Sequence, residues 1–155
     1  MAPQHDSVGS AERTSSIERA LCSVLVADDH NGIRGFVQQV LELEGFAHVD
    51  TVATGLEAVA AWEHGTYAVL LLDWQMPGLD GVETMRRIRD LEKELARPRT
   101  PIVMTTGWCS EQDLAACRTA GADECVGKPY RPEELIEAID RALSSHKRGD
   151  STPAG

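Results

Sequence analysis

Asp28 and Asp29 stand together directly after the apolar run Ser23-Val-Leu-Val-Ala27, and Asp73 closes the run Ala68-Val-Leu-Leu-Leu-Asp73. The unbroken apolar residues before Asp73, ending in consecutive leucines, read as a strand buried on both faces. Pro77-Gly78 marks a tight turn just beyond it. As parallel strands of one sheet, the two runs would set three carboxylates at neighbouring C-terminal strand ends. In open α/β sheets that edge is where ligands bind. Three carboxylates so placed repel one another unless a cation sits among them. An oxygen-only set suits Mg²⁺, which keeps several waters and takes one or two carboxylates directly. A single aspartate after a strand reads equally well as a helix cap; the set of three points to metal.

Two further groups belong to the same edge. Thr105-Thr106 closes the run Pro101-Ile-Val-Met-Thr-Thr106, and Gly107 then removes side-chain bulk. A hydroxyl there can donate to an anion, although a threonine at a strand end also serves as a cap or a β-former. Lys128 follows the last strand-like segment, where its ammonium can reach the carboxylates. Pro129 after it removes a backbone donor and permits a cis bond at modest cost.

The elements that must position these groups alternate. Strands are expected at 23–27, 48–52, 67–72, 101–106 and, weakly, 123–126. Helices are expected at 31–44, 55–64, 81–96, 111–119 and 132–145. Apolar residues at Ile33, Phe36, Val37, Val40 and Leu41 give the first helix its period, and Gly45 ends it. Thr54 with Glu57 forms a capping-box pattern, Ser110 is a cap for the fourth helix, and Pro132 opens the fifth. Five strand–helix units with double-sided burial argue for a doubly wound parallel sheet, (βα)₅. Residues 1–19 and 147–155 lack periodicity and read as flexible tails, leaving 20–146 as one domain.

Composition narrows the class. The chain has 155 residues, 42% of them hydrophobic, which suits one globular core. Asp and Glu number 25 against 15 Lys and Arg, a net charge of −10, which argues against a direct nucleic-acid surface. No apolar run is long enough to cross a bilayer, and the opening stretch has no signal-peptide core. Cys22, Cys109, Cys117 and Cys125 fall singly and read as buried thiols of a cytoplasmic protein.

Taken together, Asp28-Asp29, Leu70-Leu-Leu-Asp73-Trp-Gln-Met-Pro-Gly-Leu-Asp-Gly81, Pro101-Ile-Val-Met-Thr-Thr106-Gly107, Gly121-Ala-Asp123 and Lys128-Pro129 resemble the receiver domain of two-component response regulators. The resemblance spans residues 22–146. It implies a flavodoxin-like fold with strand order 2-1-3-4-5. It also implies that Asp73 accepts a phosphoryl group from a sensor histidine kinase or a histidine phosphotransfer protein. Asp28 and Asp29 would hold Mg²⁺ together with Asp73 and the backbone carbonyl of Gln75. Thr106 would be the switch hydroxyl, with Thr105 one residue too early, and Lys128 would pair with the phosphoryl group. Slow loss of that group by the domain's own chemistry is implied as well, with no separate effector enzyme. Output would pass by protein contact or onward phosphotransfer, from a monomer or a phosphorylation-dependent dimer.

The pattern departs from common receivers in two places. Cys125 stands where many carry a mobile Tyr or Phe, and Tyr130 does not replace it, so output is expected to run through the helix after Thr106. Trp108 stands where fast-hydrolysing relatives carry an acid or amide, which predicts slower dephosphorylation. The extended link Leu91–Thr100 resembles hybrid-kinase and phosphorelay receivers, or is a plain loop insertion. Ile33, Phe36 and Val37 are candidate contacts for the phosphoryl donor. Two other readings compete: a Mg²⁺-dependent hydrolase of the haloacid dehalogenase type, and a degenerate receiver used only for interaction. The hydrolase needs an aspartate where Gln75 stands. The degenerate module is disfavoured by the intact Asp28, Asp29, Asp73, Thr106 and Lys128.

Overall fold

The computed structural model describes residues 16–107 and 110–150. In chain order these form α1 (Ser16–Leu21), β1 (Ser23–Ala27), α2 (Asn31–Leu43), β2 (His48–Val52), α3 (Gly55–His64), β3 (Val69–Asp73), α4 (Gly81–Glu94), β4 (Ile102–Thr106), α5 (Glu111–Thr119), β5 (Glu124–Gly127) and α6 (Pro132–Asp150). The strands make one parallel sheet in the order β2-β1-β3-β4-β5, as expected. Residues 1–15, Trp108, Cys109 and 151–155 lie outside the described residues.

Strand alternation divides the core. Val24, Val26, Leu71 and Val103 face α2 and α6, where Val37, Leu41, Leu135 and Ile139 cover them. Leu25, Leu70, Leu72 and Met104 face the other way, under Trp62, Met85 and Ile88 of α3 and α4. β3 and β4 are buried along their whole length, the consequence of helices on both faces.

The caps follow local chemistry. The Thr54 and Ser110 hydroxyls accept from the N–H groups of Glu57 and Asp113, at 3.1 and 3.0 Å. Asp80 and Glu83 make a full capping box on α4. Gly45 leaves α2 at φ +100°, a conformation that glycine adopts without penalty.

Three expectations are corrected. First, residues 16–19, expected as part of a flexible tail, are helical: Arg19 is buried, pairing with Asp140 at 3.1 Å and Glu44 at 3.0 Å, and lies over Phe46. Its partners are far away in sequence, so no local pattern marks it. Second, α6 runs on to Asp150, past its expected end. Third, Cys117 and Cys125 are joined as a disulfide rather than standing singly. The last turn of α5 lies over β5, bringing their Cα atoms within 6.8 Å without a CxxC spacing.

The link after α4 is bolted down rather than looped out. Arg97 stacks on the Trp62 ring at 3.8 Å and donates to the carbonyls of Trp62 and Gly65. The Trp62 indole N–H donates to Thr100 Oγ1 at 3.0 Å, both side chains being buried. Thr100→Val strands that donor, so thermal or denaturant unfolding should show a loss of about 1–3 kcal/mol. No loss would mean that the indole finds another acceptor.

Candidate functional site

The sheet register brings the chemistry to one edge. Ala27 of β1 pairs with Leu72 of β3, so Asp28 and Asp73 follow side by side, and Asp73 pairs with Thr105 of β4. Oxygens of Asp28, Asp29 and Asp73 lie within 4.8 Å of one another. Asp28 and Asp73 are buried, whereas Asp29 is exposed.

Lys128 ties the edge together. Its Nζ lies 3.0 Å from Asp73 Oδ1 and 3.4 Å from Asp28 Oδ2. Its backbone N–H donates to the Thr106 carbonyl at 2.7 Å, which fixes its stem beside β4. The Lys128–Pro129 peptide is cis. Burial pushes the Asp73 carboxyl above its ordinary value, and the Asp28 charge adds to this. The Lys128 contact and a backbone hydrogen bond at Gln75 pull the other way.

Backbone and neighbours set Asp28. Its Oδ1 accepts from the His30 N–H at 2.9 Å, and its carbonyl accepts from Arg34 Nη1 at 2.8 Å. The β3–α4 turn depends on Gly81: a Cβ there would meet the Asp73 carbonyl and lie 2.8 Å from Trp74 Cα. The close approach therefore excludes any larger residue.

Thr106 is fully buried at the end of β4. Thr105, expected to lie one residue early, lines a small recess with Asp28, Asp73 and Tyr130. Tyr130, which does not take the place of the mobile aromatic, lies beside the acids. Its phenol is pushed up to about 12, first by burial and then by the charges of Asp28 and Asp73. The Gln75 side chain is exposed and reaches toward Gly107. Trp108 lies outside the described residues. Of the candidate donor contacts on α2, Val37 is core, whereas Phe36 is 45% exposed and Ile33 half-buried.

The donor set suits a hard divalent cation: three carboxylates converge, two of them buried, with Lys128 as the cation hydrogen-bonded to both. Such an edge can hold a metal and an anion side by side.

Comparison with known proteins agrees. The family described as "Response regulator receiver domain" matches residues 24–140. Transcriptional regulatory protein ResD of Bacillus subtilis is 36% identical over 120 residues, covering 77% of this chain and 47% of that protein. Hybrid signal transduction histidine kinase L of Dictyostelium discoideum is 32% identical over 133 residues, covering 84% of this chain and 8% of that protein. The chain thus spans less than half the length of these two relatives. Among solved structures, Vibrio cholerae chemotaxis protein CheY4 superposes with a TM-score of 0.70 at 30% identity, covering 78% of this chain and 98% of that one. A CheY-like receiver domain protein from Methanospirillum hungatei JF-1 gives 0.72 at 30% identity, covering 83% and 98%. These matches lend no support to the hydrolase reading. With residues 24–140 matched, the sheet order in place and the carboxylates gathered at one edge, this chain belongs to the response regulator receiver domain family and is a phosphoacceptor module.

Proposed function

We propose that Asp73 takes a phosphoryl group from a phosphohistidine on a sensor histidine kinase or a histidine phosphotransfer protein. The observation that carries this reading is the convergence of Asp28, Asp29 and Asp73, with Lys128 Nζ 3.0 Å from Asp73. An Asp73 oxygen attacks phosphorus as the P–N bond to histidine breaks, and the imidazole leaves and is reprotonated. A carboxylate is a weak nucleophile, so the domain acts by alignment and charge neutralisation. Lys128 pairs with a phosphoryl oxygen, and Thr106 donates its hydroxyl to another. Mg²⁺, held by Asp28, Asp29, Asp73 and the Gln75 carbonyl, would offset the negative charge of the transferring group.

The exposed Phe36 and half-buried Ile33 of α2 present the docking face for the donor. No described helix is long and apolar enough to cross a membrane, and we place the domain in the cytoplasm. The acyl phosphate adds roughly 1.5 to 2 negative charges. With Cys125 in place of a mobile aromatic, output runs through α5 and the segment before it to a protein target or a further phosphotransfer partner. Trp108 makes the phosphoryl group longer-lived than in fast-hydrolysing relatives, and Trp108→Glu should accelerate its loss.

Mg²⁺ gives the first test. At a hundredfold excess over its dissociation constant, Mg²⁺ should stabilise the fold by about 2.7 kcal/mol in thermal unfolding. The gain should vanish in Asp29→Asn, which removes a carboxylate of the proposed metal set at an exposed position and so costs the metal-free fold little. Because burial raises the Asp73 carboxyl, protons compete with the metal at higher pH than for an ordinary aspartate. Mg²⁺ affinity should therefore fall as pH drops through the raised value. An equal gain in Asp29→Asn would contradict the assignment.

A further inference from the structure

The attachment of α5 to the sheet is narrow. Cys117 is the one buried side chain of this helix, whereas α3 buries Gly55, Ala58, Val59 and Trp62, and α4 buries Thr84, Met85 and Ile88 among others. A helix held by so little apolar surface opens locally at low cost. That single anchor is also the residue bonded to Cys125 of β5. The chain runs from Thr106 at the end of β4 through α5 and β5 directly to Lys128. The cross-link therefore lies within the segment that joins two residues of the proposed phosphoryl site and ties its residues 117 and 125 together.

We propose that Cys117 and Cys125 are a reversible oxidation site, a dithiol–disulfide pair that sets whether α5 is held to β5 or free to shift. The accessibility of the two sulfurs gives the order of events. Cys125 is partly exposed, with Sγ 3.9 Å from the Leu114 carbonyl, and Cys117 is fully buried. A low-molecular-weight disulfide such as oxidised glutathione is attacked by the Cys125 thiolate, giving a mixed disulfide and releasing one thiol. The Cys117 thiolate then displaces the second thiol and closes the intramolecular bond. Two protein thiols lose two electrons and two protons, and one external disulfide is reduced to two thiols. Excess reduced glutathione reverses both steps. Resting on the proposed function, one consequence follows: the oxidised domain still accepts a phosphoryl group at Asp73 but does not move α5 in response.

The test uses the full chain in oxidised or reduced glutathione, trapped by alkylation and mapped by peptide mass, with hydrogen exchange read across residues 111–119. Cys117 and Cys125 should be linked in the first buffer and both alkylated in the second. α5 amides should exchange about tenfold more slowly when linked, since a short closed loop removes open conformations. Cys125→Ser, a change at a partly exposed position, should erase the difference; Cys22→Ser and Cys109→Ser should keep it. Linkage to Cys22 or Cys109, a bond that reduced glutathione cannot open, or equal exchange in both buffers would overturn the proposal. An acyl phosphate donor and Mg²⁺ are then added. Equal Asp73 occupancy with an α5 response confined to the reduced protein supports the consequence, and an equal α5 response in both states overturns it. No phosphoryl uptake in either state refutes the receiver reading, while the linkage and exchange results still judge the oxidation site.

Discussion

Asp73→Asn should lower phosphoryl uptake at least about 1000-fold, because the amide cannot serve as the nucleophile and no other described carboxylate is as close to Lys128. The readout is the mass gain of one phosphoryl group after incubation with a small acyl phosphate and Mg²⁺. The same substitution should leave the metal-free fold at pH 7 no less stable than the parent. Burial holds the folded Asp73 carboxyl above its unfolded value. Such a group contributes stability fully present below the unfolded value, near 3.8, and lost as pH rises through the folded one. At pH 7 the ionised carboxylate therefore opposes folding, with Asp28 beside it. The amide removes that opposition and still offers Lys128 an acceptor. The advantage of the variant should shrink as pH falls through the raised value. A drop of several degrees in Tm at pH 7 without metal would show that the Lys128 attraction outweighs desolvation.

Arg89→Ala should be the most damaging change outside the proposed phosphoryl site. Its guanidinium pairs with Glu92 at 3.0 Å and Asp123 at 3.2 Å, and donates to the carbonyls of Thr100 and Gly121 at 2.8 and 3.0 Å. Both carboxylates also receive backbone N–H groups, Glu92 from Thr100 and Asp123 from Ile102. One side chain thus joins α4 to the entrances of β4 and β5. Burial pulls the Arg89 guanidinium below its ordinary value, opposed by the charges of Glu92 and Asp123, and the group remains charged. Removing it leaves Glu92, 7% exposed, without its cation, and breaking such a pair costs about 3–5 kcal/mol. Denaturant unfolding checks the value. The double variant Arg89→Met, Glu92→Gln should recover part of the loss, because it removes the stranded charge as well. A cost below 1 kcal/mol for Arg89→Ala would place this network among surface ion pairs that contribute little.

The contrast between these two sites explains what could be read from the chain. Asp28, Asp73 and Thr106 follow or close apolar runs, Lys128 follows the short segment Glu124–Gly127, and the parallel sheet brings those strand ends to one edge. Arg89, Glu92 and Arg97 carry no such mark: a charged residue on a helix or link reads as solvated until the fold shows what it faces. Arg19 and Asp140 are 121 positions apart and meet only because α1 folds back onto α6. The pairing of Cys117 with Cys125 is hidden in the sequence for a related reason. Spacing rules for cysteine pairs describe loops, whereas these two meet across a helix–strand packing contact. Thr105 lies one residue early in the family pattern, yet its register places it beside Asp73 in the same recess.

The most direct measurement is peptide mapping of the unmodified full chain after exposure to a phosphohistidine-bearing phosphotransfer protein and Mg²⁺, with free phosphate followed alongside. A single phosphoryl group on Asp73, dependent on Mg²⁺ and absent when metal is chelated, is the predicted result. Phosphoryl transfer to another residue, or steady release of phosphate with no adduct on Asp73, would contradict the account.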